Sequence, residues 1–174
     1  MDAESLRALQ APLKARYRDE PAAARLTMRA EGMIDPGAQA CRVETPAGAA
    51  AAGLHPLAGG DGSWACSGEM LLQALAACAG VTLGAVATAM NIPVRGGRVI
   101  AEGDLDFRGT LGVARDAPIG FTAVRLRFEL ETDAPDDALG NLLRLTERYC
   151  VVYQSLTAPA PIESTLTRLG PGTT

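Results

Sequence analysis

The sequence predicts an α+β domain, and three observations carry that prediction. The first is the run Glu69 to Met90, EMLLQALAACAGVTLGAVATAM, which holds no charged residue after Glu69 and is half Ala, Gly or Thr. An apolar-all-round helix flanked by amphipathic elements reads as the buried central helix of a globular core. The second is a pair of alternating stretches, residues 98–108 and 121–131, each with one apolar and one charged face. Alternation of that kind marks half-buried strands, and two so close together pair antiparallel. The third is a second helical pattern after Asp136, whose apolar face repeats at i, i+3, i+4 and i+7. The resulting order, helix–hairpin–helix–strands–helix–strand, sets two antiparallel groups of strands around two central helices.

Length and charge narrow the function classes. A chain of 174 residues is long enough for one domain with a real core. Its formal net charge of −4 lacks the basic footprint of a nucleic-acid binder. The central run is long enough to raise the membrane-helix question. Its small-residue content and amphipathic neighbours argue against that, and no other run could span a bilayer. Ala76, Gly80, Gly84 and Thr88 recur every four positions, a stripe that favours close helix packing. Residues 1–20 lack the apolar core of a secretory signal, so a cytoplasmic location is expected, with no membrane or nucleic-acid partner.

Taken in order, Leu6, Leu9, Leu13 and Tyr17 share a face of an amphipathic helix over residues 3–19. This helical extension, residues 1–20, precedes a domain over residues 21–174. Leu26, Met28 and Ala30 alternate with charged and polar residues, which predicts a strand in the segment Pro21 to Met33. Asp35-Pro36-Gly37 is a turn signal, and Cys41 and Val43 share one face of the strand that completes a hairpin. From Pro46 to Ser67 the chain is rich in Ala, Gly and Pro and reads as a mobile loop over the start of the central helix. No Gly-Lys-Ser/Thr follows its glycines, which excludes a phosphate-cradling loop. His55 and Trp64 lie there; His55, the sole imidazole, is a candidate for a chemical role beside the simpler reading of a loop residue.

The central helix must end at Asn91-Ile92-Pro93, where proline forbids continuation. In the strand pair that follows, Val99 to Phe107 and Val124 to Leu130 supply the inward residues. Asp133 to Asp136 offers N-cap residues for the next helix, in which Leu139, Leu142, Leu143, Thr146, Tyr149 and Cys150 share a face. Ile162 to Leu169 is a candidate final strand.

The chemistry in this chain is carried by cysteine. Cys41, Cys66, Cys78 and Cys150 have no C-x-x-C spacing and only one His for company, so zinc and other metal sites are not expected. In a reducing compartment such thiols are core residues or redox groups. Cys78 and Cys150 sit on two helices that face one core, and where the helices cross, their sulfurs could meet. Disulfide geometry needs Cα atoms within about 7 Å. A thiol pair of this kind can run a redox cycle through a sulfenic acid and a disulfide. Cys78 lies too far inside its own helix to feel that helix's dipole, and burial opposes its ionisation. An activating cation is therefore expected, an Arg held by a carboxylate.

Residues 69–78, EMLLQALAAC, resemble the E-L-L-x-A-A-L-A-A-C signature of the OsmC (osmotically inducible protein C) and organic hydroperoxide resistance superfamily. Glu102 to Asp106 and Gly120 to Thr122 are similar to the strand segments that follow it. Cys150 to Leu156, CVVYQSL, resembles the second signature, C-P-V-S-x-x-L. The likeness covers about residues 24–169 in element order, and the N-terminal helix looks like an addition. It implies an OsmC-like fold and an intertwined homodimer with active sites at the subunit interface. It implies a peroxidatic cysteine at Cys78, a resolving one at Cys150, an organic hydroperoxide substrate and a lipoyl-type or other dithiol reductant, without a cofactor.

The sequence departs from that pattern in four places. Gly68 stands where the peroxidase branch carries its catalytic Glu, and Glu69, the candidate orienting carboxylate, is nine residues before Cys78. On one continuous helix Glu69 and Cys78 would be about 13 Å apart along the axis and on opposite sides. Cys66-Ser67 replaces an Asn-Pro pair, Val151 replaces the proline after the second cysteine, and Tyr153 replaces a small polar residue. Arg42 is the candidate activating cation; Cys41 and Cys66 read as structural, Cys66 also as an alternative resolving thiol. Two functions follow: a peroxidase using Cys78, Cys150 and Glu69, or a non-catalytic member of the fold that binds a small apolar ligand at the dimer interface.

Overall fold

The computed structural model describes residues 1–46 and 48–170. Helix α1 (Ala3–Asp19) begins where the Asp2 carboxylate accepts the Ser5 N–H at 2.7 Å, a side-chain cap on an otherwise unpaired donor. After a 3-10 turn at Pro21–Ala24 come β1 (Gly32–Asp35), β2 (Ala40–Thr45), β3 (Gly48–Gly53) and β4 (Ala65–Cys66). They form one sheet in that order, antiparallel except for the short parallel pairing of β4 with β3. The Asp35 carboxylate accepts the Gly37 and Ala38 N–H groups, which closes the β1–β2 hairpin where the turn signal placed it.

Helix α2 (Ser67–Ala89) is the central element. It is followed by β5 (Gly96–Asp104), the short α3 (Phe107–Thr110), β6 (Ala123–Glu131), α4 (Asp136–Tyr149) and α5 (Val151–Thr157). β5 and β6 pair antiparallel along their whole length, from Gly96 opposite Glu131 to Asp104 opposite Ala123. Their outer faces carry the ion pairs Arg125–Asp104 and Arg98–Glu129; exposed pairs of this sort add only about 0–1 kcal/mol each. The α+β class and two central helices therefore hold.

The strand expected at residues 21–33 forms only at its end. Residues 25–31 belong to no strand, and Leu26 and Met28 stand 83% and 86% exposed. The expected final strand is also absent: residues 162–169 lie in no strand, with Ile162 91% and Leu166 95% exposed. Residues 25–31 have the alternation of a half-buried strand and residues 162–169 do not, and among the described residues neither segment pairs with a strand. The Pro46–Ser67 stretch errs in the other direction. It contains β3, whose four consecutive alanines show no alternation and are held by the β2 ladder. Gly60 within it packs tightly, since a Cβ there would stand 1.8 Å from the Leu54 carbonyl oxygen.

Two boundaries also move. β5 stops at Asp104 rather than running through Phe107, because the Asp106 carboxylate accepts the Arg108 N–H at 3.0 Å and starts α3. At α4 the cap position is Pro135, and Asp136 and Asp137 occupy the first turn instead of capping it, where their charge suits the helix dipole.

The core is the meeting of α2 with α4 and the β5–β6 ribbon. Leu75, Ala79, Leu83 and Ala87, one i, i+4 stripe of α2, are buried, and Leu83 and Ala87 cluster with Leu142 of α4 and half-buried Phe128 and Leu130 of β6. By composition α2 could cross a bilayer, yet it packs against β5, α4, α5 and α1. Its opposite side is open in the single chain, where Val81 is 76% exposed. The predicted small-residue stripe is not needed for close approach within the chain: a Cβ on Gly80 would make an ordinary contact with Val99 at 3.4 Å, and one on Gly84 would meet nothing within 4 Å.

Leu142 is 1% exposed and links α4 to α2. Leu142→Ala is expected to cost about 2–5 kcal/mol in denaturant unfolding at fixed protein concentration. A loss under about 1 kcal/mol would mean that this contact does not hold α4 in place.

Candidate active site

The two predicted thiols come together. Cys78 lies half-buried on α2, one helical turn from the buried Leu75 and the half-buried Thr82. Cys150 is fully buried at the joint between α4 and α5. It does not continue α4 as the periodicity suggested. Its N–H still donates to the Thr146 carbonyl at 2.9 Å, while its own carbonyl accepts from Gln154 at 2.9 Å. Cys150 thus closes one helix and opens the next, and the chain changes direction there.

That change of direction aims the first amides of α5 at Cys78. Burial raises the Cys78 pKa, but it is outweighed by the Val152 N–H, the Cys150 thiol, the Val151 N–H and Thr82, which all hydrogen-bond the sulfur. The net result is a thiol pKa below its ordinary value. Cys150 moves the opposite way. Burial raises its pKa, the Tyr153 N–H lowers it, and its hydrogen bond to Cys78 and that group's charge raise it further. The two thiols are thus pushed in opposite directions, Cys78 toward the thiolate and Cys150 toward the thiol. All four cysteines are free.

The cation that the sequence called for is not at this sulfur within the chain. Arg42 is exposed on β2, opposite Met33 and Ala51, and lines a shallow cavity with Asp35 and Trp64 instead. Backbone amides take the place assigned to it. Nothing in the residue types of Val151 and Val152 announces them; the available signal was the start of a new helix directly after Cys150.

Glu69 also lies elsewhere. Its carboxylate accepts the Cys66 N–H at 3.1 Å and closes the first turn of α2, the reciprocal half of a capping box. It borders a groove with Gln73, Ala76 and Ile100, away from the thiol pair. Gly68 faces an apolar nook: a Cβ there would meet Phe121 at 3.5 Å and Leu105 at 3.7 Å. Phe121 reaches that place because Gly103 has no side chain, a Cβ on Gly103 falling 2.6 Å from the ring. A carboxylate at residue 68 would be set against hydrocarbon.

The remaining candidates have structural work. His55 Nδ1 accepts the Leu57 N–H at 3.0 Å, and its ring stacks on Phe107 with centroids 4.9 Å apart. Cys66 caps α2 and Cys41 lies within β2, both half-buried. Among the described residues no three His, Cys, Asp or Glu side chains cluster as a metal site would require.

The profile of the OsmC-like protein family matches residues 60–165. No curated protein sequence matches the chain significantly. Among solved structures, the chain is similar to an OsmC-like protein from Mycoplasma pneumoniae, with 13% identity and a TM-score of 0.65 over 77% of this chain and 89% of that one. It is similar to an organic hydroperoxide resistance protein from Elizabethkingia anophelis, with 14% identity and a TM-score of 0.61 over 78% and 92%. A third is the organic hydroperoxide resistance protein OsmC from Legionella pneumophila, with 17% identity and a TM-score of 0.59 over 77% and 93%. Identities this low carry the fold alone.

Val151→Pro removes one amide from the Cys78 sulfur at a helix position that accepts proline. The pH at which iodoacetamide alkylation of Cys78 reaches half its maximum is expected to rise by up to about one unit, the worth of one hydrogen bond. An unmoved midpoint would show that the Val151 amide does not hold the anion.

Proposed function

The chain belongs to the OsmC-like protein family, and from that premise we propose that it is a cysteine-based peroxidase for organic hydroperoxides. The observation that carries this reading is that the Cys78 and Cys150 thiols meet and hydrogen-bond; the direction of their shifts, Cys78 downward and Cys150 upward, supports it. Such a division matches a nucleophile and a resolving group.

The Cys78 thiolate, its proton lost to water, attacks the distal oxygen of the hydroperoxide. The O–O bond breaks and the alkoxide leaves, taking a proton to become an alcohol. Sulfur has then been oxidised by two electrons to a sulfenic acid. The Cys150 thiol attacks that sulfur, the S–S bond forms, the S–O bond breaks, and hydroxide leaves with the Cys150 proton as water. A dithiol of the lipoyl type restores both thiols by exchange and becomes a disulfide itself. Glu69, if it contributes, does so from a second copy of the chain, because within its own chain it caps α2.

A homodimer is part of this proposal. The exposed Leu26 and Met28, in a segment with strand alternation, and the exposed Ile162 and Leu166 are surfaces that a second copy would cover. Residues 1–20 are read as an addition to the domain of residues 21–174, and the reducing cytoplasm as its setting. The second reading, a non-catalytic binder of a small apolar ligand at the dimer interface, draws on Gly68 and its hydrocarbon surroundings.

Stopped-flow mixing with cumene hydroperoxide tests the choice. Wild type is expected to consume one equivalent and form a Cys78–Cys150 disulfide visible by mass spectrometry. Cys78→Ser should lose all turnover, and Cys150→Ser should stop at a dimedone-reactive sulfenic acid. Turnover in Cys78→Ser, or two unmodified thiols after limiting peroxide, would remove the peroxidase reading and leave the binder.

A further inference from the structure

Helix α1 docks by only one edge of the face its sequence favours, the edge at Leu6. Leu9, Leu13 and Tyr17, its large apolar stripe, remain exposed. The residues it turns toward α2 are Ala3, which is buried, Leu6, Gln10 and Lys14. Between the helices runs a groove of about 480 Å³ whose α2 wall includes Val81, Ala85 and Ala89. A polar amide and an ammonium thus border an apolar wall. Lys14 is the only lysine in the chain. Its helical neighbours at three and four residues, Gln10, Ala11, Tyr17 and Arg18, include no acid, and no residue lining the groove is acidic. Among the described residues it forms no ion pair, whereas Arg16 on the same helix is paired with Glu20.

The groove also reaches the thiols. Thr82 lines it and hydrogen-bonds the Cys78 sulfur, and Tyr149, which lines it too, directly precedes Cys150. From Val81 to Ala89 the α2 wall is about 12 Å long, enough for a medium-length alkyl chain. We propose that the α1–α2 groove is a substrate subsite in which Lys14 binds the carboxylate of an anionic amphiphile whose alkyl chain lies along α2. The occupant that charge and wall select is a fatty-acid hydroperoxide with its reactive end toward Thr82. Lys14 is then a specificity-determining residue on a helix outside the segment that the family profile matches. The substrate assignment rests on the peroxidase reading; the binding of the carboxylate does not.

Two measurements on the full chain separate these. In the first, linoleic acid hydroperoxide is compared with its methyl ester, which differs only in the charge. Lys14→Gln should lower kcat/KM for the acid about fivefold, as expected of an exposed ion contact, leave the ester unchanged, and be rescued by Lys14→Arg. Equal effects on both substrates, or none, would overturn the subsite. In the second, Lys14 is acetylated with an amine-reactive ester and followed by mass spectrometry against the N-terminal amine. Decanoate should protect Lys14 selectively and decan-1-ol should not. Protection without turnover of either hydroperoxide by wild type keeps the subsite and removes the peroxidase. Turnover without protection removes the subsite and keeps the peroxidase.

Discussion

The arrangement depends on one turn of the backbone. At Cys150 the chain leaves α4 with its N–H still bound to Thr146 and enters α5 with its carbonyl bound to Gln154. No extended linker separates the helices, so the unpaired amides at the start of α5 face inward. Their acceptor is the Cys78 sulfur on α2. The same turn buries the second thiol against the first. The packing behind it is correspondingly tight: Leu142, Thr146 and Cys150 are each 1% exposed, and Thr146 satisfies its hydroxyl by donating to the Leu142 carbonyl at 2.8 Å. The packing of α4 and the placement of the two thiols therefore meet on its inner face.

Amides and a cation stabilise a thiolate differently. A guanidinium brings a full charge on a flexible stem and itself needs a carboxylate to hold it. Backbone amides bring partial charges that the fold fixes, and they need no reorganisation when the sulfur ionises. The sequence departs from the signatures it resembles in the matching places. Valine rather than proline follows Cys150, which supplies an N–H that proline lacks. Glycine rather than glutamate stands at residue 68, in a nook closed by Phe121 and Leu105. Glu69 is engaged in capping. Within one chain, the Cys78 sulfur is met by the Val151 and Val152 amides together with the Cys150 thiol and the Thr82 hydroxyl.

Much of this was legible in the sequence. The uncharged run of α2, the alternation of β5 and β6, and the apolar face of α4 each depend on contacts that the chain makes with itself, and they appear where periodicity put them. The pairing of Cys78 with Cys150 follows from those helices. Residues 25–31 show the limit of the method. Alternation reports that a surface is half-covered but not which chain covers it. β3 failed for the opposite reason, because four alanines carry no alternation and only the β2 ladder defines them. The amides at Val151 and Val152 were hidden because every residue donates an N–H, and what matters is where a helix begins.

Helix α1 shows the same limit from another side. Its sequence has an evident apolar stripe, and a helix would be expected to bury it. The structure instead turns Leu6, Gln10 and Lys14 toward α2 and leaves Leu9, Leu13 and Tyr17 outside. Packing alone would favour the leucine face against Val81, Ala85 and Ala89. Within the single chain, the observed orientation forgoes that burial in return for a polar edge along a groove that reaches the thiol. On the proposed reading the two stripes have two occupants: the outer one a second copy of the chain, the inner one an anionic alkyl substrate. An element outside the family's shared segment would then tune specificity, while the chemistry stays with the two cysteines.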